Sequence, residues 1–88
     1  MILKKNSMLK KIGNTYRILP LSDHNVAADV ILKTNEVGAF IYQSLQQDIT
    51  KDQLLDRILA EYEVSRDQAL MDMEAFIEAL KEKGLLDD

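Results

Sequence analysis

The 88-residue sequence has no cysteine and no tryptophan, one proline, one histidine and three glycines. Without cysteine there is no disulfide frame, no thiol nucleophile and no thiolate metal site. No apolar run approaches the roughly 20 residues of a membrane-spanning helix. Residues 1–7, Met-Ile-Leu-Lys-Lys-Asn-Ser, have no apolar core region and no small-residue cleavage site, so a cytoplasmic protein with no membrane association is expected. Gly13, Gly38 and Gly84 lie too far apart to form a phosphate-cradling loop. His24 sits in a polar stretch beside Asp23 and reads as a solvated loop residue rather than a general base. Ser7, Ser22, Ser44 and Ser65 lack the context of an activated nucleophile. One histidine with scattered carboxylates makes no metal cluster. A chain without catalysis, cofactor or metal is expected.

What is present is a folded composition, 47% apolar and 30% charged, of a size that fits one domain over residues 1–88. The charge is unevenly placed. Residues 1–33 carry a net +4 from Lys4, Lys5, Lys10, Lys11, Arg17 and Lys33 against Asp23 and Asp29, and residues 34–88 carry −8. An acidic majority of this kind argues against nucleic-acid binding, which rests on phosphate neutralisation.

The first third has strand composition. Residues 8–12 and 16–21 flank the turn signal Gly13-Asn14, with Pro20 expected at a strand end or edge because it has no amide to donate. Ser22 to Asn25 reads as a polar loop, and residues 28–33 as a third strand. From there the punctuation is helical. Thr34 or Asn35 can cap a first helix carrying Val37, Phe40, Ile41 and Leu45. Thr50 and Gln53 match a capping box ahead of the stripe Leu54, Leu55, Ile58, Leu59 and Tyr62. Ser65 and Gln68 repeat that pattern ahead of Ala69, Leu70, Met73, Phe76, Ile77 and Leu80, and Gly84 is placed to end the helix in a left-handed turn after Lys81 and Lys83. Leu85 and Leu86 are expected to fold back onto the core. The order predicts an α+β fold of winged helix-turn-helix type, a three-stranded antiparallel sheet followed by three helices.

A helix-turn-helix suggests DNA, but residues 65–83 hold three basic groups against five acidic ones, the wrong sign for a recognition helix. The feature that remains is the third strand. Val30, Ile31 and Leu32 are apolar at three successive positions, so both faces want cover, and an edge strand is a template for another chain. A peptide could add there as a fourth strand. The alternative is an ordinary buried strand.

The run from Val30 to Tyr42, with a strand ending in Leu32, then Asn35, the pair Gly38-Ala39 and an aromatic at the helix end, resembles PqqD-like proteins (coenzyme PQQ synthesis protein D). The Thr-capped helix closing at residues 60–64 and the last helix from Asp72 to Leu80, ending in Gly84, Leu85 and Leu86, resemble the same family. The likeness runs over about residues 8–86, where the packed core is expected. It implies a recognition element for ribosomally made, post-translationally modified peptides. Such a domain binds the leader of a precursor peptide as a strand against the third strand, in a groove shared with the third helix. It delivers the peptide to a maturation enzyme, often a radical SAM enzyme, in PQQ biosynthesis and related systems; in lasso-peptide pathways a similar domain serves a leader peptidase. Carried over by position, the strand contribution falls on Val30, Ile31, Leu32 and Lys33, and the helix contribution on Leu70, Met73, Glu74, Ile77 and Lys81.

Helical phase puts Ala69, Met73 and Leu80 at the centre of the apolar arc, with Leu70 and Ile77 on one flank followed by Lys81 and Glu74. Flank residues could line a groove while the centre packs inward. Met71 lies nearly opposite and should be exposed. The family's usual Trp at the end of the first helix is Tyr42 here, and the loop before the third strand has no glycine. A monomer or weak dimer is expected, since an open edge that takes a peptide can also pair with a second copy. The competing readings are a winged-helix DNA-binding regulator and an assembly module without leader specificity.

Overall fold

A computed structural model describes residues 1–21 and 30–87. The elements run β1 (Ile2–Leu3), β2 (Ser7–Ile12), β3 (Thr15–Pro20), β4 (Leu32–Thr34), α1 (Glu36–Ser44), α2 (Lys51–Glu61), α3 (Arg66–Glu82) and β5 (Leu86–Asp87). Strands β2, β3 and β4 form an antiparallel sheet in that order, which with the three helices is the α+β arrangement the sequence predicts. The hairpin between β2 and β3 turns at Gly13, whose φ of 62° is the left-handed conformation that glycine adopts without a steric cost. Pro20 ends β3, as its missing amide requires.

Each helix start is fixed by a side chain. Asn35, rather than Thr34, caps α1: its Oδ1 accepts from the Gly38 amide at 2.9 Å. At α2 the full capping box forms, with Gln53 N donating to Thr50 Oγ1 at 3.1 Å and Thr50 N to Gln53 Oε1 at 3.0 Å. At α3 only half of the expected box is made. Gln68 N donates to Ser65 Oγ at 3.1 Å, but the Gln68 side chain turns forward and donates to Asp72 Oδ1 at 2.9 Å, a competing i,i+4 partner. Helix α3 ends at Gly84 with φ 70°, as its position predicts.

The core lies where the sheet meets the helices. Ile18 from β3 belongs to one buried cluster with Ile41 and Leu45, with Leu54 and Ile58 of α2, and with Ala69, Met73, Ile77 and Leu80 of α3. Each of the Ile, Leu and Met side chains contributes about 1.5–3 kcal/mol by leaving water. Tyr42 fills the position at the end of α1, and its hydroxyl lies 2.8 Å from Ser7 Oγ in the interior, so each satisfies the other.

Two expectations are corrected here. The third strand was expected over residues 28–33, but β4 spans Leu32–Thr34: Val30 and Ile31 precede it, and extended backbone continues through Thr34 to the Asn35 cap. Residues 22–29, with the expected polar loop, Ala28 and Asp29, lie outside the described residues. The packed core also begins earlier than residue 8. Leu3 is buried and pairs with Leu86 in a second, two-stranded antiparallel sheet, β1 with β5. Its amide donates to Leu45 O and the Lys4 amide to Leu85 O, both at 2.9 Å. The chain end at Leu85 and Leu86 does fold onto the core, but as part of this small sheet.

Tyr42→Phe leaves the buried Ser7 hydroxyl without its partner and is expected to cost about 1–3 kcal/mol in urea unfolding. Adding Ser7→Ala should recover part of that loss, because the orphaned group is then removed.

Candidate functional site

The site follows from how α3 distributes its faces. At about 100° per residue, Ala69, Met73, Ile77 and Leu80 share the face that enters the core. Asp72, Ala75, Phe76 and Ala79, at i, i+3, i+4 and i+7, form one flank, and Leu70, Glu74 and Lys81 fall on the other. The first flank borders a groove of about 290 Å³ whose opposite wall is Leu32, Lys33, Thr34, Asn35, Val37, Gly38 and Ile41, from β4 and the start of α1. Two alanines on α3 leave the space, Phe76 supplies an apolar wall, and buried Ile41 lies at the base.

Close approach of α1 to β4 shapes the near wall. A Cβ at Gly38 would fall on Thr34 Oγ1 and within 2.8 Å of Thr34 Cβ, so only glycine lets the first turn of α1 pack against the strand end. Strand β4 is the last strand of its sheet, and among the described residues it pairs only with β3. Its other edge presents backbone N–H and C=O groups beside the groove. An extended peptide laid there could continue the ladder while alternate side chains enter the space over α3.

The structure sorts the sequence-predicted residues clearly. Leu32 and Lys33 line the groove. Val30 and Ile31 are half-buried just before β4, and the Ile31 amide donates to Ile18 O at 2.9 Å. None of the five expected on α3 lines the groove. Met73 and Ile77 are each 1% exposed and belong to the core, so Ile77 is not a flank residue. Leu70, 37% exposed, and Glu74, also exposed, lie on the far flank with half-buried Lys81. Met71 is exposed, as helical phase predicts. Sequence reasoning did not name Asp72, Ala75, Phe76 or Ala79 for the site; it counted Phe76 on the apolar face, and Phe76 packs against the core while lining the groove. The available signal was their i, i+3, i+4, i+7 spacing with small side chains.

Charge at the groove is sparse. Lys33 belongs to one lip, though its register with Arg17 turns its side chain to the other face of the sheet, and Asp72 at the other lip already accepts from Gln68. A second depression beside the β2–β3 turn, lined by Lys11, Asn14, Tyr16 and Glu36, is polar, with the Lys11 ammonium 5.7 Å from the centre of the Tyr16 ring. Tyr62, packed edge-on against Phe40 with ring centres 5.5 Å apart, has its phenol pKa raised by burial, then by Glu36 and Glu61, so it is neutral at pH 7. Among the described residues no three His, Asp or Glu side chains converge as a metal site would require, and no helix is long and apolar enough to cross a membrane.

Among the described residues, then, an unpaired strand edge stands beside a groove walled by the last helix. The chain belongs to the PqqD family, described as coenzyme PQQ synthesis protein D, whose match covers residues 23–86. That span takes in β4, the three helices and Leu86, and so both walls of the groove. Among solved structures, the fold is similar to that of TbiB1 in complex with the TbiA(beta) leader peptide. The TM-score is 0.73 at 25% identity, over 99% of this chain and 95% of that one. No curated protein sequence matches the chain.

Gly38→Ala is expected to lower stability by about 1–3 kcal/mol in urea unfolding, from the overlap with Thr34. Thr34→Ala in the same chain removes the nearer of the two clashing atoms and should restore part of it.

Proposed function

We propose that this protein binds the leader segment of a ribosomally made precursor peptide as an added strand on β4 and presents it to a maturation enzyme, without catalysing a reaction itself. The observation that carries this reading is the edge of β4, unpaired among the described residues, standing beside a groove whose far wall is the small-residue flank of α3. Backbone bonds to the edge supply affinity that is indifferent to sequence, and the groove selects the side chains that enter it. Membership of the PqqD family supports the reading, as does a similar fold solved with a leader peptide.

In this arrangement Leu32 and Lys33 meet the peptide backbone, and Ala75, Phe76 and Ala79 meet its inward side chains. Val30 and Ile31 extend the same edge toward its start. The enzyme served is a radical SAM protein or a leader peptidase, of the kind the family assists. A DNA-binding role is disfavoured by α3, whose Asp67, Asp72, Glu74 and Glu78 are all exposed.

The test is an NMR titration of the full ¹⁵N-labelled chain with leader peptides from short reading frames beside its gene. Micromolar or tighter binding is expected, with shifts on residues 31–34 and 72–79. Ala79→Arg, which fills the groove from a helix position that tolerates arginine, should abolish binding while the remaining amide shifts stay in place. Binding that survives this change, or no binding by any such peptide, would overturn the proposal.

A further inference from the structure

The outer face of the sheet carries a charge pattern that finds no countercharge among the described residues. Directly paired residues of neighbouring strands share a face, and faces alternate along each strand. The row Leu9, Ile18 and Leu32 faces the core, because Ile18 is fully buried. The next row, Lys10 opposite Arg17 opposite Lys33, therefore lies on the other face. Three cations stand side by side across strands spaced about 4.8 Å apart. Like charges directly opposite one another are destabilising.

Among the described residues none of the three has an ion-pair partner. Arg17 Nε is moreover buried with no hydrogen-bond acceptor. Lysine on an edge strand blunts unwanted pairing, which accounts for Lys10 on β2. It does not account for an arginine on the central strand, nor for Lys33 on the edge offered to a ligand. Strand β4 has three residues, and Leu32 and Thr34 face inward. Lys33 is therefore its one outward position.

We propose that the bound leader strand carries an aspartate or glutamate at the outward-facing position opposite Lys33, and that the row Lys10, Arg17 and Lys33 selects it. This rests on the reading that the leader adds to the edge of β4. A strand added there must place every second side chain on the outer face, and the one beside Lys33 becomes the fourth member of the row. A carboxylate there meets the adjacent ammonium and the positive field of the row, whereas a lysine or arginine would be a fourth like charge. The chain carries −4 overall, so the selection is local to this position and not a general attraction for acidic peptides.

The test is selection of a displayed random twelve-residue peptide library against the full chain and against its Lys33→Glu and Ala79→Arg variants. Wild-type protein is expected to enrich peptides with an acidic residue at a position alternating with apolar ones. A chosen peptide should bind Lys33→Glu about tenfold more weakly, and changing its acidic residue to lysine should restore that binding. Arg17→Gln, which keeps a polar side chain, should weaken the preference in the same direction. Enriched peptides that lose binding to Ala79→Arg, yet show no acidic preference and bind Lys33→Glu as well as wild type, would overturn this inference and leave the leader reading intact. Acidic peptides that bind Ala79→Arg as well as wild type, or a library with no enriched peptide, would overturn both.

Discussion

The position of the groove depends on one close approach, that of Gly38 at the start of α1 to Thr34 at the end of β4. With no side chain at residue 38, the helix begins within one turn of the strand end and leaves Leu32–Thr34 as the rim of a cleft. The Asn35 cap fixes the same corner by taking the Gly38 amide. The core then settles where α3 must lie, through Met73, Ile77 and Leu80. With those residues committed to the interior, the flank of Asp72, Ala75, Phe76 and Ala79 is what faces the open edge.

Much of this was legible in the sequence, and the parts that were not share a physical cause. Caps at Thr50 and Ser65, the turns at Gly13 and Gly84 and the stripes of α2 and α3 are local signals, written within four or five residues of where they act. Strands β1 and β5 have two residues each and no period to read; their pairing is decided by Leu3 and Leu86 meeting over the core, across nearly the whole chain. The far half of the Ser65 capping box failed because Asp72 offers Gln68 a competing acceptor one turn on.

The candidate site was half legible for the same reason. On the strand side, Leu32 and Lys33 were expected from the resemblance to PqqD-like proteins, and both border the groove. The helix side was not legible, because an amphipathic helix has two flanks and hydrophobic periodicity treats them alike. Leu70 and Ile77 made one flank the more apolar, yet Ile77 belongs to the core, and the groove lies on the side where small residues leave room. Space is a property of absent side chains, and sequence patterns built on hydrophobicity do not register it. The cation row was equally hidden: Lys10, Arg17 and Lys33 are unremarkable until the register aligns them.

The central claim is that a peptide extends the sheet at β4. Backbone hydrogen exchange of the full chain, measured residue by residue with and without a bound leader peptide, tests it most directly. Added protection is expected within residues 31–34, confined to amides that point away from β3, with little change on β2. Protection along Ser7–Ile12 instead, or binding with no new protection of any strand amide, would contradict the account.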